Sequence, residues 1–296
     1  MAALEIGGRS FPVSNLDKVL WPGTGTTKGD MVHYYSEIAP VLVPHLAGRA
    51  ITMKRFPNGV DRASYFEKNC PSHKPPWVET VKMGDVGYCL VEEAATVAWM
   101  ANLAAIELHP TLAACPDLER PTCVVFDLDP GEPAGMLECA RVAFLLQDML
   151  GRLGLDLWPK TSGSKGLQLY VPLNSPVTYA QTAPFAKAVA QLLERQEPGL
   201  VLSYQQRSAR KGKVLIDWSQ NAPSKTTVSV YSLRARPTPT VSTPVRWDEL
   251  DDALGAARPE ALSFTWDQVL DRVKSHGDLM AGNLTTVQEL PPLTTS

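Results

Sequence analysis

Thr122-Cys123-Val124-Val125-Phe126-Asp127-Leu128-Asp129-Pro130-Gly131 is the stretch whose reading governs the rest of the chain. Residues 122–126 are rich in β-branched and aromatic side chains and Pro-Gly closes the run, a pattern that predicts a strand ending in a turn. Side chains alternate across a strand, so Asp127 and Asp129 share one face while Leu128 points into the packing. Two neighbouring carboxylates repel each other, and a hard divalent cation such as Mg²⁺ or Mn²⁺ would relieve that with the oxygen ligands it prefers. An isolated Asp-x-Asp before Pro-Gly is equally compatible with two solvated turn acids. What the pair means therefore depends on the rest of the chain.

Downstream, apolar residues at helical spacing predict a helix over 136–153, stopped by Gly154. Strands are expected at 156–160 and 167–173, joined by the loop Thr161-Ser162-Gly163-Ser164-Lys165-Gly166. A helix over 178–196 and strands at 213–218 and 226–232 follow, with helices at 247–254 and 266–273. Upstream, the pattern predicts a short helix at 15–20 and a helix over 29–46 whose second half Pro40 and Pro44 should break. A strand at 50–56 and a buried helix at 94–103 come next. Strand pairs mixed with helices argue for an α+β fold rather than alternating βαβ units.

The 296 residues are 44% hydrophobic and 20% charged, an ordinary globular composition, long enough for one large core or two closely packed lobes. No apolar stretch approaches the roughly 18 residues of a membrane span. The first residues lack the basic start and apolar run of a signal peptide. Five cysteines, at 70, 89, 115, 123 and 139, form no Cys-x-x-Cys pair. They predict neither a zinc ribbon nor a disulfide framework, and a reduced, cytoplasmic protein is the expectation. Net charge is −3, which does not announce nucleic-acid binding. Its distribution says more: residues 199–236 carry seven bases around the single acid Asp217, and from Asp248 onward nine acids face three bases. An acidic end region can mask a basic working face in the net count.

Asp217 lies in Val214-Leu215-Ile216-Asp217-Trp218, an apolar strand in which a lone carboxylate is costly unless paired or metal-bound. An outward-facing polar position would explain it as well. The loop Ser162-Gly163-Ser164-Lys165-Gly166 offers amides, hydroxyls and an ammonium that suit a polyphosphate, although it lacks Walker A spacing. Three carboxylates, a phosphate-binding loop and a downstream Arg234 are together the equipment of a nucleotidyl transferase. The carboxylates alone would also suit a metal-dependent phosphodiesterase.

Phe126-Asp127-Leu128-Asp129-Pro130-Gly131, Thr161-Ser162-Gly163-Ser164-Lys165-Gly166-Leu167 and Ile216-Asp217-Trp218-Ser219-Gln220-Asn221 occur in that order. They closely resemble the three motifs of the polymerase domain of bacterial ligase D, in the archaeo-eukaryotic primase superfamily. The similarity runs from Asn15 to about Asp278. It implies a primase-type core of β-sheets flanked by helices, with 1–296 as one primase-polymerase domain. An N-terminal DNA-binding portion at about 10–50 and a flexible tail at about 280–296 are expected. The resemblance further implies that Asp127, Asp129 and Asp217 hold two divalent ions, Mn²⁺ or Mg²⁺. Ser162, Lys165, Gln168 and Arg234 would contact the incoming triphosphate, with Lys54 and Arg55 nearby. Phe66 would stack on the base and His109 would lie near the sugar. Asn15, Lys18 and Lys28 would grip a 5′-phosphate across a gap or break. The family usually has histidine where this chain has Gln168, which can donate a hydrogen bond but cannot carry charge or donate a proton to pyrophosphate.

The function so implied is template-dependent gap filling in DNA repair, with a preference for ribonucleotides over deoxyribonucleotides. The expected partners are gapped or broken duplex DNA, NTP or dNTP and a separate DNA ligase, with no membrane. The alternatives are an end-joining polymerase acting on double-strand breaks and a catalytically weak gap-binding protein.

Overall fold

The computed structural model describes residues 2–292. The chain begins with β1 (Ala2–Ile6), β2 (Arg9–Val13), β3 (Val19–Trp21), β4 (Thr26–Thr27) and α1 (Lys28–Leu46). β5 (Ile51–Arg55), β6 (Tyr65–Glu67), β7 (Thr80–Met83), β8 (Val86–Cys89), α2 (Ala94–Asn102) and β9 (Ala105–Pro110) follow. Next come β10 (Cys123–Pro130), α3 (Met136–Gly151), β11 (Trp158–Thr161), β12 (Leu167–Pro172), α4 (Tyr179–Gln196), β13 (Val201–Leu202) and β14 (Val214–Asp217). The last elements are β15 (Leu233–Arg234), β16 (Thr240–Val241), α5 (Trp247–Gly255), α6 (Trp266–His276) and α7 (Gly282–Thr285).

Two compact units result. Unit 1 comprises 1–116, 226–242 and 264–278, and unit 2 comprises 117–225, 243–263 and 279–296. In unit 2 a five-stranded sheet runs β11-β12-β10-β14-β13, so the Asp-Leu-Asp strand is central. Phe126, Leu128, Leu169, Val171 and Ile216 are fully buried in it, while the alternation of β10 leaves Asp127 and Asp129 only half-buried. In unit 1, β9, β6 and β8 all pair with β5. The buried face of α1 presents Tyr34, Tyr35, Ile38 and Leu42. Tyr34 Oη donates to the Tyr231 carbonyl at 2.7 Å and Tyr35 Oη to the Ile106 carbonyl at 2.6 Å, as buried phenols require.

Several expectations are corrected. Residues 15–20 are a turn leading into β3, with Asn15 at φ 52°; the extended Val19-Leu20-Trp21 outweighs the helical reading. α1 runs through Pro40 and Pro44 unbroken, because each proline only deletes one carbonyl's partner on a helix whose other face is fully packed. Residues 226–232 lie extended along β9, yet only Thr226 bridges, to Thr111. There the Leu108 amide donates to Ser232 Oγ at 3.0 Å instead of to backbone, and Tyr231 turns the chain at φ 62°. Cys70 is bonded to Cys89, fastening the segment after β6 to β8. That corrects the reading of cysteines without a disulfide, and the pair was hidden because its 19-residue separation follows no short motif. Of the expected C-terminal tail, 293–296 lie outside the described residues. Before them, Gln288 donates to the Pro172 carbonyl at 2.7 Å and accepts from the Asp156 amide at 2.6 Å.

Candidate active site

The register of unit 2 builds one row across four strands. Lys160 of β11 stands opposite Gln168 of β12, Gln168 opposite Asp127 of β10, and Asp127 opposite Asp217 of β14. Opposite residues in antiparallel strands bring their Cβ atoms within about 5 Å. The second and third motifs thus flank the first on either side. Burial pushes the Asp127 carboxyl up to about 6, a hydrogen bond from Gln168 and the charge of Lys160 oppose this, and the charges of Asp217 and Asp129 add to it. Lys160 is fully buried and donates to Gln168 Oε1 at 2.6 Å. The Gln168 carbonyl is thereby turned toward Lys160, which leaves its amide nitrogen for Asp127. Lys160 lies outside the three motifs; its one sequence signal is a charge inside a short, otherwise uncharged strand.

Asp129 accepts from Arg210 Nη1 at 2.8 Å, and Arg210 Nη2 donates to Gln205. Asp217 accepts from Ser219 Oγ at 2.6 Å, from the Ser219 amide at 3.0 Å and from Gln220 Nε2 at 3.0 Å. Among the described residues no three ligand side chains already converge as a metal cluster. The donor set nonetheless fits a hard divalent cation: three carboxylates from two adjacent strands, two directly opposed, with mutual repulsion that a cation would relieve. Gly166 brings the loop against β10, and a Cβ there would collide with the Leu128 carbonyl oxygen between the two aspartates.

Within that loop, Ser162 Oγ accepts from the Ser164 and Gly166 amides, each at 3.2 Å. Lys165 pairs with exposed Glu132 at 2.9 Å, a solvent-screened contact that a phosphate could displace.

Unit 1 holds the other nucleotide candidates around one acid. Glu107, 3% exposed on β9, lies 3.0 Å from His109 Nε2, 3.3 Å from Arg234 Nε and 4.0 Å from Lys54 Nζ. It also accepts from the Ala235 amide at 3.2 Å. Burial works against the charged carboxylate, but the His109 hydrogen bond and the Arg234 and Lys54 charges outweigh it and hold Glu107 at about 2. Burial also pushes His109 down, despite its carboxylate partner. Phe66 is exposed, meets the His109 ring edge-on at 5.7 Å and lies 5.4 Å from Lys54 Nζ. Arg55 is turned away, donating to the Leu103 carbonyl at 2.7 Å and pairing with Glu67 at 2.7 Å. Glu107 carries the signal that marked Asp217, an acid inside an apolar strand.

Asn15, Lys18, Lys28 and Arg55 line a cavity of about 750 Å³ in unit 1, with His73, Lys74 and Trp77. Burial, then the charges of Lys18 and Arg55, push Lys28 down, as expected where a partly buried cation has other cations near it. Lys28 opens α1, but the first helical amides are committed: Lys28 to Lys18 O, Gly29 to Leu16 O and Asp30 to Thr27 Oγ. An anion here would be held by side chains, not by the helix terminus.

A family model described as LigD, primase-polymerase domain, matches residues 27–280. The multifunctional non-homologous end joining DNA repair protein LigD of Mycobacterium tuberculosis is 44% identical over 280 residues, covering 90% of this chain and 36% of that protein. The bifunctional non-homologous end joining protein LigD of Bacillus subtilis is 33% identical over 265 residues, covering 89% of this chain and 42% of that protein. The chain thus spans well under half the length of these relatives. The solved polymerase domain of Mycobacterium tuberculosis ligase D in complex with DNA superposes with a TM-score of 0.86 at 43% identity, covering 94% of this chain and 99% of that one.

Proposed function

Because the chain belongs to the LigD primase-polymerase domain family, we propose that it is a metal-dependent nucleotidyltransferase extending a DNA 3′-hydroxyl opposite a template. The observation that carries this is Asp127 and Asp217 directly opposed on adjacent strands, with Asp129 on the same face. Asp127, Asp129 and Asp217 would hold the divalent ions, two Mn²⁺ or Mg²⁺. Such ions, when bound, lower the pKa of an attacking hydroxyl and offset charge on the departing pyrophosphate. Gln168, oriented by Lys160, keeps Asp127 hydrogen-bonded. Ser162 and Lys165 in unit 2 would bind the triphosphate, and Arg234 and Lys54, gathered around Glu107 in unit 1, are proposed as further nucleotide contacts. Phe66, exposed and edge-on to His109, would stack on the base, and His109 would meet the sugar of a preferred ribonucleotide. Asn15, Lys18 and Lys28 would grip the 5′-phosphate from their shared cavity.

Of the two repair tasks, end joining gains support from the names of the relatives, and short-gap filling uses the same 3′-hydroxyl and 5′-phosphate. A DNA ligase activity would seal the product. No helix among the described residues is long and apolar enough to cross a membrane, and the site of action proposed is the bacterial cytoplasm. Primer extension on 5′-phosphorylated gapped DNA with Mn²⁺ and NTPs tests the reading. Templated addition that stops with chelator is expected; DNA binding without any addition would leave only a gap-binding protein.

A further inference from the structure

The cluster in unit 1 has an unusual economy: a single buried carboxylate serves a histidine, an arginine and a lysine at once. Carboxylate oxygens only accept hydrogen bonds, so the His109 nitrogen that meets Glu107 Oε2, Nε2, must be the one bearing hydrogen. In the neutral ring Nδ1 is then the acceptor, able to take a hydrogen bond from a hydroxyl but unable to donate to one. Burial and the nearby Arg234 and Lys54 charges favour that neutral ring.

We propose that Glu107 is the positioning residue of the nucleotide-binding surface: it fixes His109 as the Nε2–H tautomer, so that Nδ1 accepts from a sugar hydroxyl, and aligns Arg234 and Lys54. This rests on the nucleotide-binding reading of His109, Arg234 and Lys54. Selection between ribose and deoxyribose is then set by a residue that need not touch the nucleotide. A ribose 2′-hydroxyl finds an acceptor in Nδ1, and a deoxyribose, which lacks that hydroxyl, leaves Nδ1 without its hydrogen bond. Glu107→Gln keeps the size but replaces one acceptor oxygen by a donor, which removes the demand for hydrogen on Nε2 and takes away the negative charge that Arg234 and Lys54 share at Glu107.

Two measurements test it. In ¹⁵N-histidine-labelled wild-type protein at pH 7.5, with the signal assigned by His109→Ala, His109 should appear as the neutral Nε2–H tautomer. An Nδ1–H tautomer or an imidazolium overturns the proposal, and this readout does not require a Glu107 variant to fold. In single-nucleotide incorporation on gapped DNA, Glu107→Gln should raise the NTP KM about tenfold, the size of one charge-assisted hydrogen bond, and change kcat less. Its NTP-over-dNTP discrimination should fall to that of His109→Ala, and the double variant should discriminate no worse than His109→Ala alone. A folded Glu107→Gln with wild-type KM and discrimination overturns the proposal. Wild-type protein that binds no nucleotide would instead sink the nucleotide-binding reading and the sugar contact with it, while the tautomer measurement would still decide what Glu107 does to His109.

Discussion

Asp217 stands directly opposite Asp127, and like charges in that relation weaken a sheet. The pair is therefore retained at a cost that function must explain. Asp217→Asn should abolish metal-dependent incorporation and raise the melting midpoint in metal-free buffer by roughly 2 °C. A lowered midpoint in scanning fluorimetry would mean that the hydrogen bonds from Ser219 and Gln220 outweigh the repulsion. Glu107 behaves in the opposite way. Its carboxyl is held down from 4.5 to about 2, so it adds on the order of 3 kcal/mol that is present above pH 4.5 and lost as pH falls through about 2. Glu107→Gln should melt lower at pH 7, and its curve should converge on wild type as pH drops toward 2. Parallel curves across that window would contradict the linkage. The three aspartates could be singled out from sequence because each breaks an apolar strand beside a turn. Glu107 and Lys160 break apolar strands too, but apart from His109, two residues along β9 from Glu107, their partners come from other strands or distant segments, and nothing local says which of those polar groups will meet.

The strand expected at 122–126 forms as β10 and runs on through both aspartates to Pro130, and its neighbours β11, β12 and β14 appear within two residues of their expected bounds. These segments were readable because buried central strands are long apolar runs punctuated by Gly and Pro. The segment after Thr226 was not, since its backbone bonds to β9 are interrupted by a side-chain hydroxyl, Ser232 Oγ, and a left-handed Tyr231 that no periodicity encodes. Close approach of elements makes sharper predictions than propensity does. Gly166→Ala should push the loop off β10, because its Cβ collides with the Leu128 carbonyl. We expect more than about 2 kcal/mol of destabilisation in urea unfolding, with incorporation lost in the protein that remains folded. Near-wild-type stability would mean that β10 and the loop can separate freely. In α1, Pro40 is exposed. Pro40→Ala returns an amide to the Ser36 carbonyl and should stabilise by about 1–2 kcal/mol, the helix gain exceeding the entropy restored to the unfolded chain. An unchanged unfolding midpoint would show that the carbonyl is satisfied by water as it stands.

Net charge of −3 hides a protein whose charges are sorted, and the DNA binding proposed for it would depend on that sorting rather than on the total. The 5′-phosphate candidates belong to unit 1 and the carboxylates to unit 2, so their contributions to binding and to chemistry should separate. Lys28 is already disfavoured as a cation by burial, Lys18 and Arg55, and a phosphate dianion entering that cavity would reverse the effect. Wild-type protein should therefore prefer 5′-phosphorylated over 5′-hydroxyl gapped DNA by about tenfold at moderate salt, a preference that shrinks as salt rises. Lys28→Ala should erase most of the preference and lower the slope of log affinity against log salt by about one, the signature of a lost phosphate contact. Asp217→Asn should keep both preference and slope while failing to extend. The double variant should show both defects, each at its single-variant size, because the changes share no partner. Fluorescence anisotropy across a salt series measures all four proteins. An Asp217→Asn that loses the 5′-phosphate preference would show that the two functions are coupled through the chain, and the division of labour by unit would have to be abandoned.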